Sequence, residues 1–514
     1  MKNTIIFFEF ILLFTTFIIN MFFESFLTAA AMNIRMSVFL CGLVLILFGF
    51  AMFVPFLVGY FADKKEIMPF LYSAMITVFI GTTFGLAFYS RTRKMKACDM
   101  FLFTTTAWFA VSAFAALPFY LSELKISYTD AFFETMSGLT TTGSTVLSGL
   151  DNMPKSILFW RSLLQWIGGA GIIVLAIAIL PILQIGGMQL FSTESSDNSD
   201  KALPKAKEIV IVTVIIYVIL SALCTLTYFI SGMSAYDAIT HAMTTLSSGG
   251  YSNYDASLGH FKSPAVQWSS VVFMTVSATP LFFYYHVFKM NANAIRKDTQ
   301  TSTFLITFLI VIAIMSIWLW MKSGMPDNFE PFARKVAVNV ISVVSTTGFA
   351  SEDYTLWGNF AVAAFLFLTL CGGCTGSTAG GIKMFRFGIL YLTIKKYILQ
   401  MISPHTIYVP KYNDKIVTDD VINGVLVFLS VFIVSIVFFT VAACLTGLDI
   451  LTALSGCFTS IANVGPGIGN IIGPSGNFQS LPDVAKWLFA IAMLFGRLEF
   501  LTVMALFSPT AWKE

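Results

Sequence analysis

Residues 130–142 read DAFFETMSGLTTT and run directly into Gly143. At 13 residues the stretch is too short to cross a bilayer, which takes about 20 apolar residues of helix, so it reads as a re-entrant or interfacial segment. Three further stretches repeat the pattern: 237–249 (DAITHAMTTLSSG), 335–347 (KVAVNVISVVSTT) and 452–464 (TALSGCFTSIANV), ending at Gly250, Gly348 and Gly465. A single Thr-Thr-Gly is an ordinary turn. Four copies, with their glycines 98 to 117 residues apart and each followed by a polar turn and a long apolar run, are an internal repeat. The unit is helix, short pore-type helix, Gly-centred loop, helix, and it divides residues 100–514 into four quarters.

Composition sets the solvent for these quarters. Of 514 residues 57% are hydrophobic and 11% charged, against roughly 25% charged in a soluble domain. A soluble globular enzyme, a disordered chain and a fibrous protein are excluded, and the expected class is an all-α integral membrane protein with the lipid bilayer as partner. The net charge of +3 is too small for a nucleic-acid footprint, so no nucleic-acid partner is expected. Seven scattered cysteines do not form a disulfide framework. Four histidines without i,i+4 spacing, and the lack of G-x-x-x-x-G-K-[ST] or G-x-S-x-G, leave little basis for catalysis.

Apolar runs mark ten spans, at 36–61, 68–89, 100–121, 157–182, 209–230, 265–290, 302–322, 359–385, 420–447 and 484–508. Lys and Arg collect in loops 90–99, 183–208, 289–301 and 386–419, while 448–483 has none, which places the first set in the cytoplasm. Two leading helices in 32–99 precede quarters at 100–208, 209–301, 302–419 and 420–514. A further apolar stretch at 4–30, within the segment 1–31, stays open between an extra span, a signal-like segment and sequence upstream of a start at Met32.

Extended backbone at membrane depth is tolerated only where it is buried or lines a watery cavity. Four such loops around one axis form a ring of carbonyl oxygens able to replace the hydration shell of a monovalent cation. The negative C-terminal ends of the short helices would face the same point. The expected architecture is therefore four pseudo-symmetric helix/pore-helix/helix repeats around a central ion pore, plus the two leading helices.

The chain resembles the Trk/Ktr/HKT superfamily of potassium transporters, most closely its TrkH type. The resemblance covers about 32–514. It rests on TDAFFETMSGLTTTGSTV (129–146), WRSLLQWIGGAGIIVLAIAILPILQIGGMQL (160–190), LPKAKE (203–208), HAMTTLSSGGYSNYDAS (241–257), STTGFA (345–350), GGCTGSTAGGIKMFR (372–386), NVGPGIG (463–469) and LFGRLEFLTVMALFSPT (494–510). It implies potassium uptake across the bacterial inner membrane by a multi-pass protein, a homodimer with one pore per subunit, and a cytoplasmic ring of TrkA-type nucleotide-binding regulatory subunits. By the same resemblance potassium is the expected transported ion. The filter glycines of the family fall on Gly143, Gly250, Gly348 and Gly465, with carbonyls from Thr141, Thr142, Ser248, Gly249, Thr346, Thr347, Asn463 and Val464. In plant relatives a serine at the first of these glycines goes with sodium transport, so Gly143 favours potassium. The second quarter reads Ser-Ser-Gly-Gly and the fourth Asn-Val-Gly-Pro-Gly, so the ring is chemically unequal.

The span 359–385 is interrupted by Gly372, Gly373, Cys374, Thr375, Gly376, Ser377, Thr378, Ala379, Gly380 and Gly381, a run that will not hold a straight helix. It is either a close packing seam or an unwound loop crossing the pore, and the resemblance implies the second, an intramembrane gate ending at Lys383. Arg497 lies deep in the last span and must face inward. It ties either to backbone carbonyls or Glu499, or, as the resemblance implies, holds the gate loop and adds a positive barrier.

Cys371 and Cys374 have redox spacing but read as small packed residues. Glu134 and His241, each four residues after an Asp, are expected to bond neighbouring backbone rather than carry protons. The charged 191–208 and basic 386–415 are solvated faces or docking sites for a regulatory subunit. Two rivals remain: a symporter coupling potassium to protons or sodium, and a membrane enzyme using Cys371 and Cys374.

Overall fold

The structure is a computed structural model, and it describes residues 34–62, 67–89, 97–178, 199–290, 298–405, 408–413, 415–499 and 503–504. Two leading helices, α1 (Ile34–Ala62) and α2 (Ile67–Ala87), pack closely where Gly42 and Gly81 cross. A Cβ on Gly42 would lie 2.7 Å from the Gly81 carbonyl oxygen. Small residues at such a crossing let two helices meet without a hydrophobic driving force between them. The 4–30 stretch lies outside the described residues.

Each quarter then supplies an outer helix, a short helix and a second helix. The first has α3 (Ala97–Ala115), α4 (Tyr128–Leu139) and α5 (Lys155–Ala178). The second has α6 (Ser199–Ile230), α7 (Ala235–Leu246), then α8 (Pro264–Ala278) and α9 (Leu281–Phe288). The third has α10 (Thr299–Lys322), α11 (Glu330–Val344), α12 (Asn359–Leu368) and α13 (Met384–Ile402), followed by a two-stranded hairpin, β1 (Lys411–Tyr412) and β2 (Lys415–Ile416). The fourth has α14 (Asp419–Leu445), α15 (Ile450–Ala462) and α16 (Asp483–Arg497). The helical, four-repeat architecture expected from the sequence is the one observed, with the small hairpin as its addition.

The ten expected spans are not ten straight helices. Among the described residues seven helices are long and apolar enough to cross a membrane. The expected span 265–290 is instead bent by 102° between α8 and α9. Pro280 explains the break: it has no N–H to continue the helical ladder, and its ring disfavours helical backbone at the residue before it. The freed amide of Leu281 donates to the Gly376 carbonyl at 3.0 Å. The span 359–385 is broken as its glycine run predicts.

Three of the four short helices start alike for a local reason, while α11 opens instead on Pro331 in its first turn. Ser127 caps α4 by accepting from the Asp130 amide at 3.1 Å, and Ser234 caps α7 by accepting from Asp237 at 3.1 Å. Asp449 caps α15, accepting from the Thr452 amide at 3.0 Å, and the hydroxyl and amide of Thr452 hold its carboxyl below the usual carboxylate range. Such caps satisfy amides that a helix start leaves unpaired. All four short helices are buried over their C-terminal turns, so the apolar core of the protein encloses them.

Candidate functional site

The four short helices end in one motif. Thr142, Gly249, Thr347 and Val464 donate their amides to Ser137, Thr244, Ser342 and Thr459, five residues back, at 2.8 to 3.0 Å. The residue before each donor is left-handed: Thr141 at φ 52°, Ser248 at 56°, Thr346 at 55° and Asn463 at 54°. This is the Schellman ending, in which glycine is usual at the left-handed position. Threonine there is uncommon, and a residue held in a sparsely populated region costs about 1–3 kcal/mol and persists only where its surroundings impose it.

Two residues on, each chain turns left-handed again at Gly143, Gly250, Gly348 and Gly465, with φ from 72° to 110°. These glycines meet across the quarters in cyclic order. A Cβ on Gly143 would fall 2.2 Å from the Gly249 oxygen, one on Gly250 1.7 Å from Thr347 O, one on Gly348 2.0 Å from Val464 O, and one on Gly465 2.8 Å from Thr142 O. Each loop therefore abuts the next, one to two, two to three, three to four and four to one. The ring closes with the four carbonyls at its seams. All twelve residues expected there, from Thr141 to Gly465, are brought together. A cavity lies on the outer side, lined by the four glycines among others.

On the inner side the glycine-rich stretch folds back on itself. Gly372 donates to Ile382 O at 2.9 Å and Met384 to Gly373 O at 3.1 Å, and a Cβ on Gly372 would lie 2.1 Å from Gly380 O. The small residues thus let the two arms of a non-helical loop pack against each other. Between its arms, Gly376 and Gly381 are left-handed at φ 83° and 67°, and the Ser377 hydroxyl donates to Cys374 O at 2.6 Å.

This loop touches the undersides of three quarters. Thr378 Oγ1 shares a hydrogen bond with Ser248 Oγ at 2.7 Å and donates to Leu246 O, the last residue of α7, at 2.9 Å. Gly380 donates its amide to Thr346 Oγ1 at 2.6 Å. A Cβ on Gly380 would lie 2.4 Å from Ala462 O at the end of α15. From the fourth quarter, Arg497 Nη1 donates to Thr378 O at 2.9 Å.

Arg497 is buried and faces inward, as its cost in lipid requires. Its tie is to a backbone carbonyl. Glu499, the alternative partner, instead pairs with Arg386 at 2.7 Å. Lys383 donates to Ala379 O. A second cavity lies beneath the loop and is lined by Lys383, Arg386, Arg497 and Glu499 with the loop itself.

Other expected residues resolve as follows. His241 contacts Asp237 O through Nδ1 at 2.9 Å, as expected, and Ser252 Oγ through Nε2 at 3.0 Å. Glu134 accepts from the Val146 amide at 2.9 Å, but also holds Arg161 at 2.8 Å, which the sequence reading passed over. The signal was present: an arginine inside the apolar run 157–182, with Gln165 one helical turn further on. Cys371 and Cys374 are free thiols in the loop. Most of 191–208 lies outside the residues whose side chains are described. Among the described residues no group of three or more His, Cys, Asp or Glu is placed to hold a metal ion.

A helical membrane fold with four re-entrant quarters closing on a ring of carbonyls is the architecture of a cation transport protein. The family described as TrkH, cation transport protein, matches residues 66–513. The Trk system potassium uptake protein TrkI of Halomonas elongata is 41% identical over 464 residues, covering 90% of this chain and 94% of that protein. The TrkH of Salmonella typhimurium is 33% identical over 487 residues, covering 94% and 100%. The crystal structure of the potassium transporter TrkH from Vibrio parahaemolyticus superposes with a TM-score of 0.85 at 33% identity, covering 94% of this chain and 100% of that one. The chain belongs to the TrkH family of cation transport proteins. It is a multi-pass inner-membrane transporter rather than an enzyme.

Proposed function

We propose that this chain is the pore-forming subunit of a potassium uptake system, in which the ring at Gly143, Gly250, Gly348 and Gly465 is the selectivity filter and residues 372–381 the gate. Potassium uptake is what the names of its relatives state. The observation that carries the filter reading is the cyclic approach of each glycine to the next quarter's carbonyl, because only a ring closed around one axis produces it. Carbonyls held in such a ring can replace the ion's water shell.

The gate reading rests on the loop's contacts with Ser248, Thr346 and the ends of α7 and α15, directly beneath the ring. Arg497 then has two roles, bonding Thr378 O and setting a positive charge on the cation path. We further propose a homodimer with one pore per subunit and a TrkA-type nucleotide-binding subunit docked on 191–208 and 386–415.

The deciding experiment is rubidium and sodium uptake in a strain lacking its own potassium uptake, comparing wild type with Gly143→Ser. The added Cβ would sit 2.2 Å from the Gly249 oxygen, so the variant must displace a filter ligand and admit sodium. Equal sodium and rubidium flux in the wild type would refute the filter reading. In reconstituted membranes a pore reverses at the potassium Nernst potential, whereas a symporter's reversal moves with protons or sodium.

A further inference from the structure

Behind the ring, α5 carries two fully buried polar side chains one helical turn apart, Arg161 and Gln165. Gln165 Nε2 donates to Gly249 O at 2.6 Å, and its Oε1 accepts from the Tyr251 amide at 3.0 Å. The amide's orientation follows from its partners, since the Tyr251 N–H can only donate and the Gly249 carbonyl can only accept. Gln165 therefore grips the second loop on both sides of Gly250. It is packed hard against that loop: a Cβ on Gly249 would fall 2.3 Å from Gln165 Cδ.

Arg161 does the same for the loop ends of quarters one and two together. Its Nη1 donates to Ser252 O at 2.9 Å and its Nη2 to Thr145 Oγ1 at 3.2 Å. Its Nε pairs with Glu134 at 2.8 Å, and Glu134 in turn takes the Val146 amide at 2.9 Å and the Thr145 hydroxyl at 3.0 Å. Tyr251, whose ring lies 4.1 Å beneath the guanidinium, donates its hydroxyl to Glu134 O at 2.8 Å and Ser144 O at 3.2 Å. Arg161 and Gln165 of α5, together with Glu134 of α4, thus hold residues 145–146 of the first loop and 249–252 of the second.

We propose that Gln165 and Arg161 are positioning residues that set the seam between the first and second loops, and through it the preference for potassium over sodium. The inference rests on the ring being the selectivity filter. Discrimination by a carbonyl ring depends on its size or on the number and field strength of its dipoles. Gln165 acts on both: it fixes where the Gly249 oxygen stands, and by donating to that oxygen it lowers the field left for an ion. The Gly249 oxygen is the same one that faces Gly143 across the seam, so the buttress bears directly on a ring ligand. Burial in a low-dielectric surround strengthens each of these bonds and makes each unmade one costly.

The test is the ratio of rubidium to sodium uptake, normalised to protein in the membrane, for Gln165→Leu, Gln165→Glu and Gly143→Ser beside wild type. Gln165→Leu removes both bonds at similar volume, and the ratio should fall about tenfold or more. Gln165→Glu keeps the acceptor for Tyr251 but sets a carboxylate oxygen against the Gly249 carbonyl, and the ratio should fall likewise. A merely structural role would lower the amount of protein and leave the ratio per molecule unchanged. If Gln165→Leu does not reach the membrane, the near-isosteric Gln165→Glu decides by the same criterion. A shifted ratio in Gly143→Ser with wild-type ratios in the Gln165 variants overturns the positioning role alone. Wild-type ratios in all three overturn the filter reading beneath it.

Discussion

Gly348→Ala and Gly324→Ala make a matched pair that separates backbone strain from damage to the ring. The two glycines have nearly the same left-handed conformation, φ 80° and 83°. Alanine there costs about 1–2 kcal/mol in either place, from its Cβ against the following carbonyl. They differ in surroundings. Around Gly324, just beyond α10, nothing lies within 4 Å of the new Cβ, whereas at Gly348 the Cβ would stand 2.0 Å from Val464 O and 2.9 Å from Pro466 Cδ. Real Cβ atoms keep at least 3.0 Å, so the Val464 carbonyl must retreat by about 1 Å, although Val464 is fully buried. A displaced ligand that weakens potassium binding by about 1.4 kcal/mol lowers discrimination about tenfold. Rubidium and sodium uptake, with the membrane content of each variant measured by blotting, gives the answer. Gly324→Ala should keep the wild-type ratio and lose only some thermal stability in detergent, while Gly348→Ala should lose most of its preference. Equal ratios in the two variants would refute the reasoning.

Two further perturbations probe the loop and the frame. Thr378→Val deletes the hydroxyl that bonds Ser248 and Leu246. At about 0.5–1.5 kcal/mol per hydrogen bond, the crossing loop should open up to about tenfold or more of the time, read as raised rubidium flux in proteoliposomes; unchanged flux would count against the loop as gate. Lys486, buried on α16, reaches Asp130 at the start of α4 at 2.6 Å. Lys486→Met leaves that partly buried carboxylate with its Ser127 hydroxyl bond alone, at a cost of about 1.5–3 kcal/mol for the lost charged hydrogen bond. The melting temperature should drop, and the double variant Lys486→Met/Asp130→Leu should recover most of it.

The parts of the site legible in the sequence were those written as interruptions of an apolar background. The four short segments betray themselves by length, the loop at 372–381 by a density of glycines that a straight helix does not hold, and Arg497 by the cost of its charge. What stayed illegible depends on direction rather than composition. The apolar run 265–290 contains Pro280, yet hydropathy alone does not show that the chain turns by 102° there or that Leu281 bonds Gly376. Glu134 and Arg161 sit 27 residues apart on separate helices, and only the packing of α4 on α5 brings them together. Gln165 is uncharged and so raised no flag, although a buried amide in an apolar span must find partners.

The unequal quarters have a structural use that a true fourfold assembly lacks. The loop after α12 bonds Ser248 in the second quarter and Thr346 in the third, and is held from the fourth by Arg497. Four identical subunits would send four such loops and four arginines to one axis, where loops already in contact with the ends of α7 and α15 leave no room for copies. One chain can place a single crossing loop and a single arginine while keeping the ring's glycines nearly equivalent, with φ from 72° to 110°. The ring itself tolerates inequality, since Thr141, Ser248, Thr346 and Asn463 share one backbone conformation despite different side chains. Backbone supplies the repeated feature, and side chains are then free to differ. Two of those side chains, Ser248 and Thr346, take the crossing loop, while Asn463 turns to Thr142 Oγ1 at 2.9 Å and Met493 O at 3.0 Å to fasten the seam between the fourth quarter and the first.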